Sequence, residues 1–577
     1  MGEKIVIIGA VAAGPKSACR VKRLMPDAEV LIVDQDNLIS YGGCGIPYYV
    51  SGDVSDEDEL RKTSFHMTRD ESFFLDAKGV QARIYTKALS IDRQAKTVLV
   101  EDVRGAEAKT DTIAYDKLVL ATGSRPNVIP IPGADLDGVF TISDLHKAIA
   151  IKGRLAKGKI GKAVVIGGGA IGLEMAESFA DLWGVETTLL EFMPQLLPRI
   201  VDRPFADMLK KHLRDQGVNI HVNESALSLE ADDEGRVCRV ITPKRTLETD
   251  IVIMATGVRA RSELAKDAGL LVSPMGSIVV NNRLQTSDPN IYAAGDCIET
   301  VNLVTGKKFF IAMGSLANRQ GRVVGDNLAG IPSTFDGAVG SFIMKAFECC
   351  IGGVGLSLEM ALEEGFDADA ALSAPSDRAH FFPTEAKIPL QMVFDRKSRR
   401  VLGVQGFGPM GDAVLARIDA AAGLIAKGAT IDDFSNLEMA YAPPFATALD
   451  ALNSVANVAD NMACNRHRNL SIADFLAWMA DPAGHPDWVA LDLRHPNEVG
   501  LFKEKFEKIW LPLVYNEIRQ RYEELPTDKK LIIICDAGTR SYEIQVFLDS
   551  VGLTNSLVLG GGFNCIARLG VDWWPAK

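Results

Sequence analysis

No stretch of this chain stays apolar for the roughly 18 residues that a helix needs to cross a bilayer, so no membrane span is expected. Positive charge is not in excess either. The 577 residues carry a net charge of -13, which gives no long-range attraction to phosphate backbones or anionic lipid and argues against a nucleic-acid partner. Low-complexity tracts are absent, and the apolar run from Ile5 to Ala13 is too short, and too interrupted at Gly9, to read as an export signal. The nine cysteines (19, 44, 238, 297, 349, 350, 464, 535 and 565) show neither CxxC nor Cys/His ligand spacing. An odd number cannot all pair, so neither a metal centre nor a disulfide framework is expected, and a reducing cytoplasm fits best. What remains is an ordinary globular composition, 47% hydrophobic and 24% charged, long enough for roughly three or four domains.

Two segments follow the same plan. Lys4 to Ile8 reads as a buried parallel strand running into Gly9-Ala10-Val11-Ala12-Ala13-Gly14, with a helix opening at Gly14. This fingerprint is degenerate, because Val11 stands where GxGxxG has its middle glycine, and Pro15 is compatible only with a first helical turn. The next strand, Glu29 to Val33, ends at Asp34, twenty residues after Gly14, where a carboxylate can bind a ribose hydroxyl. The second copy is complete. Ala163 to Ile166 leads into Gly167-Gly168-Gly169-Ala170-Ile171-Gly172, and the strand Thr187 to Leu190 ends at Glu191. Gly167 permits the tight turn, Gly169 lets backbone approach a pyrophosphate, and Gly172 lets helix pack on strand. Glu191 would accept from the 2′-hydroxyl of NADH and repel the 2′-phosphate of NADPH, which makes NADH the expected reductant.

A second repeat reinforces the first. Asp116 to Gly123 and Asp250 to Gly257 share D-x4-A-T-G, each downstream of a fingerprint, and Thr286 to Asp296 closes this half of the chain. Together these residues resemble the two-dinucleotide-binding-domain flavoproteins of the pyridine nucleotide-disulfide oxidoreductase superfamily over roughly residues 1–330. The resemblance implies FAD on the first fingerprint and NAD(P)H on the second, with Thr122, Gly123, Gly257 and Asp296 as further cofactor contacts. The aspartate matching Asp296 bonds the ribityl and phosphate region of the flavin.

Cys44 follows the first nucleotide-binding unit by ten residues, where the reactive ring of a flavin should lie. A two-cysteine disulfide reductase would carry a second cysteine about five residues on, but position 49 is Tyr. One thiol must therefore cycle alone, by pairing with a small-molecule thiol, by carrying an extra sulfur, or as a sulfenic acid.

Shorter strands follow from about residue 336, including Pro389 to Asp395 and Arg400 to Gly406, and resemble the superfamily's interface domain. Tyr441-Ala442-Pro443-Pro444-Phe445 and Ala317-Asn318-Arg319-Gln320-Gly321-Arg322 resemble the single-cysteine branch, which contains coenzyme A-disulfide reductases, NADH oxidases and persulfide reductases. In that branch the tyrosine matching Tyr441 reaches the cysteine of the other subunit, which implies a homodimer. Relatives that reduce coenzyme A disulfides often have another tyrosine in the region of His380 to Pro383. Here Phe381 and Phe382 argue against a second phenolic acid. Arg20, Lys22 and Arg23, on the helix after the first fingerprint, suit the phosphates of coenzyme A, the alternative being a solvated helix face. Asn318 and Arg319 are also candidate substrate contacts.

After about residue 468 a fresh αβ alternation begins. Val489 to Arg494 is a strand with an acidic-x-basic ending, and Lys530 to Ile534 runs into Cys535-Asp536-Ala537-Gly538-Thr539-Arg540-Ser541. This resembles a rhodanese domain. Backbone N–H groups of such a loop can form an anion nest that holds a persulfide on Cys535, with Arg540 beside it. Cys-x4-Arg makes a loop sized for sulfur, against the Cys-x5-Arg of tyrosine phosphatases. Asp536 adds a negative charge near the thiolate.

The expected fold is α/β, with two Rossmann-like dinucleotide-binding domains, an α+β dimerisation domain and a C-terminal rhodanese-like α/β domain. The expected division is FAD-binding over 1–121, NADH-binding over 122–254, FAD-binding again over 255–335, dimerisation over 336–460 and rhodanese-like over 468–577. The expected activity is FAD-dependent reduction by NADH of coenzyme A persulfide, polysulfide or coenzyme A disulfide, with coenzyme A as bound substrate or cofactor. Cys44, Cys535, Tyr441 and Arg540 are the catalytic candidates. The alternative is an NADH oxidase or peroxidase in which Cys44 cycles through a sulfenic acid.

Overall fold

The computed structural model describes residues 2–105 and 109–572. Internal contacts divide the chain into two compact units, Met1–Phe192 with Gly217–Ala338, and Met193–Gln216 with Val339–Lys577.

The first unit holds two five-stranded parallel sheets of matching design. In one, Lys4–Ile8 lies between Lys117–Leu120 and Glu29–Val33, with Ile291–Ala293 and Gln81–Arg83 at the edges. In the other, Lys162–Ile166 lies between Ile251–Met254 and Glu186–Glu191, with Val139–Thr141 and Asn219–Val222 at the edges. The central strands are apolar without alternation because parallel strands are covered on both faces, and Ile5, Ile7 and Val165 are fully buried. Each central strand turns through glycine into a helix, Ala13–Leu24 in the first copy and Ala170–Ala180 in the second. Gly14 and Gly172 make that packing possible: a Cβ on either would fall 1.9 Å from the carbonyl oxygen of Gly9 or Gly167.

The paired D-x4-A-T-G segments have a joint structural reason. Each ends a strand next to a central one, and the stretches that follow, Ser124–Pro126 and Val258–Ala260, pair with each other as an antiparallel ribbon. Arg261 N–H donates to the Gly123 carbonyl at 2.9 Å, and Asn127 N–H to the Gly257 carbonyl at 2.9 Å. The repeat thus marks the two chain crossovers, tied to one another.

In the second unit a five-stranded antiparallel sheet runs Phe342–Ala346, Cys349–Gly355, Val401–Pro409, Leu390–Asp395, Ala368–Ser373. Beyond it, a parallel sheet runs Asn469–Leu470, Ser556–Leu559, Lys530–Ile534, Trp488–Asp492, Trp510–Pro512. The fold class expected from the sequence is borne out. One strand ends earlier than expected, at Asp492 rather than Arg494. The Asp492 carboxylate accepts the Arg494 backbone N–H at 3.1 Å and both Arg494 Nε and Nη2, at 3.0 and 2.8 Å, so the chain bends back on itself. Trp510 Nε1 donates to the same carboxylate at 3.0 Å, and the Arg494 guanidinium lies 3.5 Å from the Phe563 ring centroid. Among the described residues, no helix is long and apolar enough to cross a membrane.

Candidate active site

The two fingerprints build matching nucleotide sites. Asp34, at the end of its strand, accepts the Ala10 N–H at 2.7 Å, and Glu191 accepts the Gly168 N–H at 2.6 Å. Each carboxylate is thereby tied to its glycine-rich loop by one oxygen, and the other oxygen of Asp34 accepts the Asp36 N–H at 2.9 Å. Burial pushes the Asp34 carboxyl up, and the Asp36 and Ala10 amides pull it back. At Gly169 nothing lies within 4 Å of the point a Cβ would occupy, so the loop leaves open room against its backbone for a phosphate. In the first copy Val11 fills the equivalent position and is exposed.

Asp296 sits where its helper residues converge. Ser124 Oγ donates to its carboxylate at 3.1 Å, and the Gln320 side chain accepts the Gly295 N–H at 2.8 Å while donating to Thr300 at 3.1 Å. Burial raises the Asp296 carboxyl, against the Ser124 and Met313 hydrogen bonds. Thr122 Oγ1 donates to the Arg261 carbonyl at 2.6 Å, and Arg261 Nε is buried with no hydrogen-bond partner among the described residues. Its positive charge acts on Asp34. An unsatisfied buried guanidinium nitrogen beside the first nucleotide site fits an anionic dinucleotide there. Sequence reasoning missed Ser124 and Arg261, which carry no motif of their own, and the role of Gln320, which it had quoted only as part of the Ala317–Arg322 segment. Ser124 directly follows the A-T-G segment and was the most accessible of the three.

Cys44 lies in the tight turn Gly43–Gly45 at the head of the helix Ile46–Ser51, and its thiol is exposed. The helix Gly314–Leu328 starts at this sulfur: a Cβ on Gly314 would stand 3.6 Å from Cys44 Sγ. That places the positive end of a helix dipole beside the thiol. Asn318 and Arg319 are exposed on the same helix, Asn318 Nδ2 donating to the Gly314 carbonyl at 2.8 Å and the Arg319 guanidinium lying 5.2 Å from the Phe335 ring centroid.

The helix of the second fingerprint packs behind Cys44. Ser178 Oγ donates to the Pro47 carbonyl at 3.0 Å and Trp183 Nε1 to the Val50 carbonyl at 2.8 Å. Burial, then neighbouring Glu177, pushes the Glu174 carboxyl up to about 7. Tyr48 is pushed up to about 12 by burial and by the negative charges of Glu174, Glu177, Asp53 and Cys44. Glu174, a carboxyl pushed up to about 7, and Cys44 thus both act on Tyr48. Sequence reasoning missed Glu174, although it lies two residues past Gly172.

Of the three candidate phosphate ligands on the first helix, Arg20 Nε is paired with Asp326 at 2.6 Å, and Lys22 Nζ donates to the carbonyls of Pro26 and Ala28 at 2.6 and 2.9 Å. Arg23 is exposed.

In the second unit, Cys535 directly follows the strand Lys530–Ile534 and is 1% exposed. Its Sγ accepts the Gly538 N–H at 3.2 Å. Gly538, at φ 95°, caps the helix Thr539–Ser550, so the left-handed residue turns an amide onto the sulfur. Arg540 is ion-paired with Asp536, which neutralises the acidic charge that the sequence placed in this loop. The Cys535 carbonyl accepts the Phe563 N–H at 2.8 Å, and a Cβ on Gly562 would fall 2.5 Å from the Asp536 carbonyl oxygen, so the loop is held from behind. The strand Ala368–Ser373 braces it too: Ser373 Oγ donates to the Ala537 carbonyl at 3.3 Å and the Gly561 N–H to the Leu372 carbonyl at 2.9 Å. Tyr441 is 53% exposed and Phe445 75%, on a loop whose Pro443 carbonyl accepts the Ala379 N–H at 3.2 Å. All nine cysteines are free.

The chain is similar in sequence and fold to known proteins. Family models match for the pyridine nucleotide-disulphide oxidoreductases over residues 3–321 and for their dimerisation domain over residues 343–452. A curated relative from Pyrococcus horikoshii, named NAD(P)H coenzyme A polysulfide/persulfide reductase, is 36% identical over 458 residues, covering 79% of this chain and 98% of its own. The structure of a NAD-dependent persulfide reductase from A. fulgidus superposes with a TM-score of 0.91 at 36% identity, covering 98% of this chain and 100% of the other. That of reduced Bacillus anthracis CoADR-RHD gives a TM-score of 0.90 at 30% identity, covering 99% and 98%. The chain belongs to the pyridine nucleotide-disulphide oxidoreductase family.

Proposed function

We propose that this protein uses NADH to reduce a persulfide, polysulfide or disulfide of coenzyme A at Cys44, with Cys535 as a sulfur carrier. The observation that carries this reading is a pair of single thiols built differently in one chain: Cys44 exposed at a helix start, and Cys535 cradled by a loop amide. The names of the Pyrococcus horikoshii and A. fulgidus relatives support it.

Asp34, Asp296, Thr122, Gly9, Gly14 and Gly123 are the residues that would hold FAD, and the buried, unpartnered Arg261 Nε supports their doing so. Gly167, Gly169, Gly172 and Gly257 would receive the pyrophosphate and nicotinamide side of NADH, with Glu191 on its ribose. Bound FAD supplies a two-electron path from NADH to sulfur. The Cys44 thiolate attacks the outer sulfur of a coenzyme A persulfide, the coenzyme A thiolate leaves, and Cys44 carries the sulfur as its own persulfide. Two electrons from NADH then break that S–S bond, returning the Cys44 thiolate and releasing hydrosulfide. Glu174 can give or take a proton near pH 7. Cys535 accepts sulfane sulfur from a donor, the Gly538 amide steadying the charge, and Arg540 offsets Asp536.

Arg20, Lys22, Arg23, Asn318 and Arg319 stay proposed for coenzyme A. Exposed Arg23, Asn318 and Arg319 suit it most directly, since Arg20 and Lys22 already have protein partners. Exposed Tyr441 and Phe445 offer an aromatic surface to a second copy, so we take the protein to be a homodimer in which Tyr441 serves the other subunit's Cys44. A cytoplasmic location, no nucleic-acid partner and the five-segment domain division belong to the same reading.

The test is steady-state NADH consumption by the flavin-loaded protein with coenzyme A persulfide, polysulfide, coenzyme A disulfide, hydrogen peroxide and oxygen offered in parallel. The reading requires kcat/KM to be highest with a sulfur substrate. Fastest turnover with oxygen or peroxide would replace it with the oxidase reading.

A further inference from the structure

In the second unit, far from either thiol discussed above in sequence, three different metal-binding side chains meet. His212 lies in the last turn of the helix Arg203–Asp215, and Glu348 and Cys349 lie at the turn between the strands Phe342–Ala346 and Cys349–Gly355. One donor atom from each of His212, Glu348 and Cys349 lies within 4.8 Å of the others. His212 Nε2 stands 3.0 Å from the Ala346 carbonyl oxygen and 3.8 Å from Glu348 Oε2. A tetrahedral zinc ion with ligands at about 2.0–2.3 Å separates them by about 3.3–3.8 Å. The His212–Glu348 separation of 3.8 Å already meets that spacing, and the remaining pairs lie within 4.8 Å, a gap that side-chain rotation at an exposed glutamate can close.

We propose that His212, Glu348 and Cys349, with the Ala346 carbonyl as fourth donor, form a binding site for a divalent transition-metal ion of the zinc class. Imidazole, carboxylate and thiolate together select a borderline-soft cation over magnesium or calcium. The surroundings fit such a site. Gln216 Nε2 donates to both oxygens of Glu348, at 3.0 and 3.2 Å, which orients the carboxylate as an outer partner does. The His212 ring is held edge-on by Phe347 and Phe407, with centroids at 6.3 and 6.0 Å. Phe347 itself adopts φ 51°, a left-handed conformation costly for a bulky residue, in the two-residue turn that sets Ala346, Glu348 and Cys349 around His212. Cys350 is excluded, since its thiol faces the other way and donates to the Pro409 carbonyl at 3.5 Å. Binding releases the Cys349 thiol proton to solvent, and His212, whose ring proton moves from Nε2 to Nδ1, exchanges its hydrogen bond to Ala346 for a bond to the metal. The ion would clamp the helix Arg203–Asp215 to the hairpin and mask Cys349 from sulfane sulfur.

The spacing rule that ruled out a metal centre in the sequence could not see this cluster, because His212 and Cys349 are brought together by the fold. The test titrates the flavin-loaded protein with Co2+ and, separately, Zn2+. The expected result is one Co2+ per chain with a thiolate-to-cobalt charge-transfer band, displaced by Zn2+, and an upward shift in Tm with Zn2+. The band should persist in Cys44→Ser and Cys535→Ser and vanish in Cys349→Ser, with affinity at least tenfold weaker in His212→Gln. Glu348→Gln, at an exposed side chain that tolerates change, should also weaken Co2+ at least tenfold, and it decides the matter if Cys349→Ser does not fold. A band that follows Cys44 or Cys535, undiminished affinity in Glu348→Gln, or no saturable binding overturns the proposal.

Discussion

Glu191 accepts the backbone N–H of Gly168 at 2.6 Å, and Asp34 accepts that of Ala10 at 2.7 Å, so the two halves of the first unit tie a carboxylate to the glycine-rich loop in the same way. Held there, Glu191 is the residue proposed to face the 2′ position of the adenine ribose and to disfavour a 2′-phosphate. NADH should therefore be preferred over NADPH in kcat/KM by at least about tenfold, or roughly 1.4 kcal/mol. Glu191→Ala should narrow that ratio. Equal use of the two coenzymes by the unmodified protein would contradict this role.

Glu174 gives a pH prediction. Its carboxyl, raised from 4.5 to about 7, keeps its proton in the folded state after the unfolded chain has lost it. The resulting cost is nearly absent below about pH 4.5, grows between pH 4.5 and 7, and levels off above, on the order of 3 kcal/mol. Glu174→Gln should thus match the unmodified protein in urea midpoint near pH 4.5 and exceed it increasingly toward pH 8. A constant difference across that range would show that Glu174 titrates normally.

The central strands, the glycine turns and both acidic strand ends were legible in the sequence because each is local: an apolar run, a glycine pattern, a carboxylate at a fixed distance. The pairing of Ser124–Pro126 with Val258–Ala260 was not, since it joins segments more than a hundred residues apart, and only their repeated A-T-G hinted at it. The same holds for Ser124, Gln320 and Arg261 around Asp296 and Thr122, and for Gly314 beside Cys44. Arg20 looked like a phosphate ligand because its partner Asp326 lies on a helix 306 residues later. Asp536 looked harmful to a thiolate because its pairing with Arg540 depends on the helical turn between them.

Arg494 and Asp492 are 5% and 0% exposed at the side chain, and Trp510 shares the carboxylate. Arg494→Leu leaves that carboxylate buried and unpaired, which should cost the C-terminal domain about 3–5 kcal/mol. Denaturant unfolding followed by tryptophan fluorescence should show an early transition, with flavin retention unchanged in the same concentration range. Loss of flavin in step with that transition would contradict an independent role for this pair.

Cys535→Ser should leave NADH-dependent reduction of freely supplied coenzyme A persulfide largely intact, while abolishing thiosulfate:cyanide sulfur transfer. After mixing with a sulfane donor, mass spectrometry should find one added sulfur on the Cys535 peptide. Sulfur found only on Cys44, with transfer surviving in the variant, would end the carrier assignment.

Cys44 is proposed to carry the reductive chemistry alone. The direct measurement is persulfide-dependent NADH oxidation by Cys44→Ser, after confirming that the variant binds flavin and that NADH bleaches it. The account predicts normal bleaching and turnover reduced at least about a thousandfold, or roughly 4 kcal/mol of lost transition-state stabilisation. Near-normal persulfide-dependent turnover in a flavin-loaded, NADH-reducible Cys44→Ser would contradict it.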